Sequence, residues 1–411
     1  MPLRNLFIDF NSYFASVEQQ IHPELRNKPV AVVPVMTDST CCIAASYEAK
    51  SYGIKTGTIV SDAKKLCPEL LTVEANHRTY IEYHHRLVEL VDSCLHVEEV
   101  RSIDEMVCDL IGKEREKERA IRIALKIKNT IKKEVGISLR CSIGIAPNGF
   151  LAKTATDMQK PDGLVVIEER DLPECLFRLK LNDFCGIGRR MEPRLRAYGI
   201  DSVEKLCLAD KNTLRSVWGG IEGERVYDQL RGEDVKRPPT HRSTVGHSHV
   251  LPPKLRNRES AFAVLHRLTQ KAAMRLRHLG YAAGGMAISI KYIGKFKWRN
   301  DIGLSYTQNT LTFLNALELM KNKNPFDEAK PLAVGITLFN LIKEDSNTLP
   351  LFENYEKNRS LYAAVDKLNC NYGYSAAYFG GSHEAINAAP MRVAFTQIPD
   401  LEIEDDQKKF Y

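Results

Sequence analysis

The chain has 411 residues, 44% of them hydrophobic, with 58 Lys and Arg against 52 Asp and Glu for a formal net charge of +6. No run approaches the ~18 apolar residues that span a bilayer, and the first residues lack a basic stretch followed by an apolar one, which argues against a membrane or secreted protein and sets the cytoplasm as the expected location. Ten cysteines (41, 42, 67, 94, 108, 141, 175, 185, 207, 370) without a Cys-x-x-Cys pair read as reduced, buried thiols, and the length accommodates about three modest cores.

In chain order, Leu6-Phe7-Ile8 is an apolar run ending in Asp9-Phe10, and Asn11 or Ser12 then serves as N-cap to a helix over 12–20. The free N–H groups at that helix start would face whatever lies beside Asp9, a place that suits a triphosphate. A strand over 29–34 precedes a helix-rich insert holding Tyr47, Lys50, Lys55, Lys64 and Lys65, and a helix over 80–95 follows. Val100, Ile103, Met106, Val107 and Leu110 surround Asp104-Glu105 in a strand over 103–110. Acids are depleted in strands and costly to bury unpaired, so Asp9, Asp104 and Glu105 against two apolar segments demand a compensating charge, most simply Mg²⁺. With Lys160-Pro161-Asp162-Gly163 further on, these signatures describe a metal-dependent nucleotidyl-transfer site.

A charged helix over 114–134 and a strand over 142–145 lead to Phe150-Leu151-Ala152-Lys153, an alternation that argues for an α/β or α+β domain. Phe184-Cys185-Gly186-Ile187-Gly188, then Leu195 and Gly199-Ile200, has the outline of a helix-hairpin-helix whose glycines let backbone approach phosphates, with Arg189 and Arg190 adding charge. An ordinary helical turn with a C-terminal glycine accounts for the same residues. Residues 235–253, rich in proline, read as a tether holding one strand. Strands over 246–250, 286–298 and 332–339 then alternate with helices over 260–279 and 311–320, as in a small α+β domain.

Between 236 and 300 stand fourteen Lys or Arg against Glu259 alone, a local +13 that leaves −7 for the rest of the chain. That asymmetry points to a polyanion-binding module joined to a carboxylate-bearing one. Lys291, Lys295 and Lys297, at even steps on one strand, would share a nucleic-acid face. Arg267, Lys271 and Arg275 fit instead the solvated side of a helix whose other side is Ala261, Leu265, Leu268, Ala272 and Leu276.

Taken together, Asp9-Phe10 ahead of an aromatic helix, Ala44-Ala45-Ser46-Tyr47-Glu48-Ala49-Lys50-Ser51-Tyr52-Gly53, Ser102-Ile103-Asp104-Glu105, Lys160-Pro161-Asp162-Gly163, the Gly186-Ile187-Gly188 hairpin and a basic α+β domain resemble the Y-family translesion DNA polymerases. The likeness spans residues 3–340, and the bacterial UmuC-like and DNA polymerase IV-like branches are nearest. It implies an α+β multidomain right hand: a palm at 1–170 with a small fingers insert at about 35–80, a helical thumb at 171–235, a linker and first strand at 236–253, a little finger at 244–345 and a tail at 346–411. It also implies template-directed, low-fidelity translesion synthesis by two-metal nucleotidyl transfer, without proofreading, in the repair and damage response.

On single positions the resemblance implies that Asp9, Asp104 and Glu105 are catalytic and, with the carbonyl of Phe10, hold two Mg²⁺. Tyr47, Lys50 and Lys160 match positions that grip the triphosphate, Lys50 departing from the usual arginine and giving up its bidentate fork. Phe14 matches an aromatic steric gate under the sugar, the other reading being a core aromatic of an amphipathic helix. Asn148-Gly149 departs from a basic residue often found there, which leaves Lys153 a secondary candidate. DNA contacts fall on Gly186, Gly188, Arg189, Arg190, Lys291, Lys295 and Lys297. Thr348-Leu349-Pro350-Leu351-Phe352 resembles a sliding-clamp-binding peptide, with Thr348 where glutamine is usual and Leu349, Leu351 and Phe352 as anchors; a strand end burying them is the other reading. The implied partners are primer-template DNA, deoxynucleoside triphosphates, a sliding clamp and an accessory protein. A catalytically silent scaffold for DNA and clamp leaves the gathered acids unexplained, and a nucleotide cyclase on a related palm leaves the hairpin and the +13 segment unexplained.

Overall fold

The apolar run that ends in Asp9 is the central strand of a five-stranded sheet. In the computed structural model, residues 2–235, 241–294, 296–346, 355–373, 375–394 and 397–405 are described. The chain divides into two units, Met1–Pro238 with Val393–Ile398, and Pro239–Arg392 with Pro399–Tyr411.

The first unit runs β1 (Asn5–Phe10), α1 (Tyr13–Ile21), β2 (Val30–Val33), β3 (Ala44–Ala45), α2 (Tyr47–Ser51), α3 (Val60–Leu66), β4 (Leu71–Glu74), α4 (His77–Asp92), β5 (Glu99–Ser102), β6 (Glu105–Asp109), α5 (Lys117–Glu134), β7 (Cys141–Ala146), α6 (Gly149–Met158), β8 (Leu164–Val166), α7 (Met191–Ala197), α8 (Val203–Leu208), α9 (Lys211–Trp218) and α10 (Ile221–Leu230). Its main sheet has the order β5-β6-β1-β7-β8, with β1 antiparallel to both β6 and β7. Because side chains alternate along a strand, Phe7 and Asp9 share one face and Leu6, Ile8 and Phe10 the other. Phe7 and Val107 pack with Leu151, Ala152 and Ala155 of α6 and onward into the core of α7 to α10. α5 buries Ala120, Ala124, Ile127 and Ile131, one stripe at helical spacing, and packs on α4 and β7. A smaller sheet, β3-β2-β4, closes with α2 and α3 over Ala31, Val33, Ile54, Val60 and Leu70.

α1 starts without the side-chain cap expected of Asn11 or Ser12. Ser12 stands at the N-cap position in left-handed backbone (φ 49°) and its side chain caps nothing, while Asn11 turns to Ser142 Oγ at 3.1 Å and accepts from the Asp162 N–H.

The second unit runs β9 (Thr244–Val250), α11 (Arg258–His278), β10 (Tyr281–Tyr292), β11 (Lys297–Thr307), α12 (Thr310–Lys321), β12 (Pro331–Lys343), α13 (Tyr355–Tyr372) and α14 (Leu401–Glu404). Its antiparallel sheet has the order β11-β10-β12-β9. Ile288, Ile290, Val334 and Ile336 join Phe262, Leu265, Leu268 and Phe313 in a core between the sheet and its helices.

Three expectations are corrected here. The strand expected over 286–298 is two strands, turning at Ile293-Gly294 where Gly294 adopts φ +102°. Arg267, Lys271 and Arg275 are not solvated: Arg267 and Lys271 are each 5% exposed, Lys271 Nζ donates to the Ala389 carbonyl at 2.9 Å, and Arg275 pairs with Glu404 at 3.0 Å. The last part of the chain folds over them, with Arg277 forking onto Asp366 of α13 at 2.6 and 2.8 Å. Among the cysteines, none in a disulfide, Cys41 and Cys185 are exposed and Cys94, Cys175 and Cys370 half-buried, so burial is not general. Among the described residues no helix is long and apolar enough to cross a membrane.

Candidate active site

Register brings the first acids together. Asp9 on β1 lies directly opposite Glu105 on β6, on the face that carries Phe7 and Val107. α6 is pressed onto that face at Gly144 of β7, where an added Cβ would stand 2.0 Å from the Ala152 carbonyl. This close seat delivers Lys153, whose Nζ forms ion pairs with both Asp9 and Glu105, the latter at 2.9 Å. Asp157, one turn on, holds Lys153 at 3.5 Å and Lys160 at 2.7 Å, and Lys160 reaches Asp9 at 2.9 Å. Although burial pulls the Lys153 ammonium down, Asp9, Asp157 and Glu105 hold it above its ordinary value.

Asp104 is set by the turn between β5 and β6. The Phe10 N–H donates to its backbone carbonyl at 2.9 Å, and Ser102 Oγ donates to its carboxylate at 2.6 Å. Burial raises its carboxyl to about 6; the Ser102 bond opposes this, and the charges of Asp9 and Glu105 add to it. Among the described residues no three His, Cys, Asp or Glu side chains converge closely enough to hold an ion. Asp9 and Glu105 close instead on an ammonium. Asp9 and Glu105 on the Lys153 ammonium, with Asp104 next in the chain, are oxygen-only donors of the kind a hard divalent cation takes, and these three are the residues that could hold one.

Around these acids stand the expected phosphate-gripping groups. Lys50 Nζ lies 4.4 Å from the centre of the Tyr47 ring, and burial followed by the nearby Lys160 lowers its pKa. Burial raises the Tyr47 phenol, Lys160 and Arg140 draw it down, and Asp9 and Asp157 push it up. Ser12 Oγ is buried at the start of α1 and, among the described residues, has no hydrogen-bond partner. Phe14 is buried, its ring stacked on Tyr80 at 4.4 Å and set edge-on to His77 at 6.1 Å. Asn148 caps α6 through the Leu151 N–H and ties the end of α10 through the Gln229 and Glu233 carbonyls.

The remaining expected residues lie elsewhere. Gly186 takes φ +89°, Ile187 is buried, and Gly188, Arg189 and Arg190 are exposed just ahead of α7. Lys291 and Lys297 are not steps along one strand but direct cross-strand partners of β10 and β11, both exposed. Their face of the sheet continues through Arg299, Ser289, Gly335 and Ser248 in one cross-strand row, a cation followed by three small residues of which Gly335 is buried. Lys295, Leu349, Leu351 and Phe352 lie outside the described residues. Sequence reasoning passes over Asp157 and takes Ser102 only as part of the Ser102-Ile103-Asp104-Glu105 signature; the spacing of Lys153 and Asp157, i and i+4 on a helix, is the signal that marks the first.

Three profiles of one family match the chain: the impB/mucB/samB family over residues 8–157, the IMS family HHH motif over 169–200, and the impB/mucB/samB family C-terminal domain over 242–351. The chain is similar to DNA polymerase IV of Moorella thermoacetica, 34% identical over 90% of this chain and 93% of that one. It is 32% identical to DNA polymerase IV of Pelotomaculum thermopropionicum, over 90% and 92% of the two chains. DNA polymerase IV 1 of Bacillus subtilis is 31% identical, over 89% and 90%. A solved Y-family DNA polymerase chimera of Dbh and Dpo4 shares the fold, with a TM-score of 0.71 at 23% identity, over 83% of this chain and 99% of that one. The chain belongs to the impB/mucB/samB family, within the Y family of DNA polymerases.

Proposed function

We propose that this protein is a DNA-directed DNA polymerase that extends a primer across damaged template bases with low fidelity and without proofreading. The observation that carries the reading is Asp9 facing Glu105 across β1 and β6, with Asp104 beside them and lysine charge between, in a chain of this family. In the reaction the primer 3′ oxygen bonds to the α-phosphorus of a deoxynucleoside triphosphate, the bond to the β-phosphate breaks, and pyrophosphate leaves while the hydroxyl proton passes to solvent. Two Mg²⁺ held by Asp9, Asp104, Glu105 and the Phe10 carbonyl would supply charge neutralisation of the phosphates and a more acidic attacking hydroxyl. Lys160, positioned by Asp157, binds the triphosphate with Tyr47 and Lys50, and the unmet Ser12 hydroxyl at the start of α1 adds a donor there. Phe14, held by Tyr80, bars a 2′ hydroxyl.

In this reading the first unit supplies the palm, a small fingers insert and a helical thumb, and the second supplies the little finger. Lys291, Lys297 and Arg299, with Arg189 and Arg190 at the hairpin, take phosphates rather than base edges, which makes binding indifferent to template sequence and sensitive to salt. A sliding clamp binding through 348–352, an accessory protein and a cytoplasmic role in damage repair complete the proposal.

Primer extension by the purified protein with Mg²⁺ and deoxynucleotides, on undamaged and abasic templates and beside Asp104→Ala, tests it. Extension by the parent, lost in the variant by at least about a hundredfold, is the expected result. Progress past the abasic site carries the lesion-bypass part. No extension by a parent that still binds duplex DNA would turn the assignment to a DNA-binding scaffold.

A further inference from the structure

Next to the triphosphate-gripping residues the first unit holds a second cationic site, a cavity of ≈ 610 Å³. It is lined by Arg26, Lys128, Lys132 and Arg140 against two acids, Glu48 and Asp162. Most of these charges are already engaged. Arg26 donates to the Gln19 and Gln20 carbonyls at 3.0 and 3.1 Å, Lys128 is paired with Asp162, and Glu48 accepts from Gln19 Nε2 at 3.2 Å. Lys132 and Arg140 are exposed and, among the described residues, have no side-chain hydrogen bond or ion pair.

The position of the cavity gives these two charges a use. Glu48 follows Tyr47 in the chain and Asp162 follows Lys160 by two residues, so two of its lining residues share chain segments with the groups assigned to the triphosphate, which themselves do not line it. Arg140 is anchored one residue before β7, its carbonyl accepting the Asn11 N–H at 2.9 Å, and its charge acts on the Tyr47 phenol. The volume falls within the usual range for a small-ligand site. A planar guanidinium and an ammonium lining one cavity suit the terminal oxygens of a di- or triphosphate, and the Lys50 ammonium lies over the Tyr47 ring.

We infer that this cavity is a polyphosphate site, in which Arg140 and Lys132 bind the γ end of the incoming triphosphate and then the inorganic pyrophosphate released by transfer. The inference rests on the polymerase reading for its role in the reaction. The anion site itself is testable without turnover.

The test is calorimetric titration of the full chain with inorganic pyrophosphate in EDTA, for the parent, Arg140→Ala, Arg140→Lys and Lys132→Ala, followed by the KM for pyrophosphate in pyrophosphorolysis of a paired primer. Arg140→Ala is expected to weaken pyrophosphate binding about tenfold, the loss of a charge-assisted hydrogen-bonding group, with Arg140→Lys recovering part of it. Lys132 lies on the exposed side of α5, so its variant reports on the cavity even where a change at Arg140 disturbs β7. Binding unchanged within about twofold in both alanine variants, against this expected tenfold, would overturn the site. A parent that binds pyrophosphate through Arg140 but never extends a primer would keep the site and sink the polymerase reading instead.

Discussion

Phe14 packs into a buried aromatic stack. Its ring is packed against Tyr80, whose hydroxyl donates to Glu18 at 2.5 Å and whose carbonyl accepts from the Tyr13 hydroxyl at 2.6 Å, so the wall it forms has little play. Burial raises the Glu18 carboxyl above its usual value, and the Tyr80 hydrogen bond opposes that rise. The two readings that the sequence leaves open for Phe14, core aromatic and sugar gate, are therefore compatible. Phe14→Ala is expected to cost ~3 kcal/mol of stability as a buried ring is lost, and to raise the ratio of ribonucleotide to deoxynucleotide incorporation by at least about tenfold. The ratio is the measurement to make, because it is independent of how much of the variant is folded. An unchanged ratio removes Phe14 from sugar selection. Among single residues, acids inside apolar runs stand out in any window, and the register of β1 on β6 brings two of them, Asp9 and Glu105, opposite one another. Lys153 was read only as a secondary candidate, since nothing in its own neighbourhood tells that α6 lies against Asp9.

That placement belongs to the elements, and one glycine controls it. α6 can seat on β1 and β7 only while residue 144 has no side chain, because its backbone carbonyl at Ala152 already occupies the space of a Cβ. Gly144→Val is expected to lift α6 and carry Lys153 and Asp157 away from the acids. The melting temperature should fall with a loss of ~1–3 kcal/mol or more, and extension should fall with it. A variant that melts and extends like the parent would show that α6 is not fixed there. Elements were readable where periodicity was clean, as for α5 and α11. The hairpin of β10 and β11 was missed because Tyr292-Ile293-Gly294 sits inside a run of apolar and basic residues, and one glycine at φ +102° was the whole signal for the turn.

At the scale of the molecule, the second unit is built around cations that a linear reading assigns to solvent. Lys271 and Arg275 are covered by residues more than a hundred positions later, a separation no local pattern reports. His247 and His249 project from β9 towards the same layer. Burial, then Lys271 and Arg275, holds the His247 ring at about 3; burial, then Arg392, Lys271 and Arg267, does the same for His249. Glu404 is the acid on Arg275 in that layer. Both rings are neutral when folded and take up a proton near pH 6.5 when unfolded. Their contribution is therefore intact above about pH 6.5 and is lost as pH falls towards 3, at up to ~1.4 kcal/mol per pH unit for each. Calorimetric scans between pH 7 and 5 should show the transition of this unit falling, and His247→Gln with His249→Gln should flatten the dependence. A transition that stays level in the parent would refute it. The first unit meets its own buried charge differently, and the difference bears on how the protein comes to exist. Carboxylates gathered in a sheet are costly to bury until an opposite charge meets them. Here the counter-charge to Asp9 and Glu105 is Lys153, with Lys160 also on Asp9, so folding the chain brings its own neutralising groups to these carboxylates.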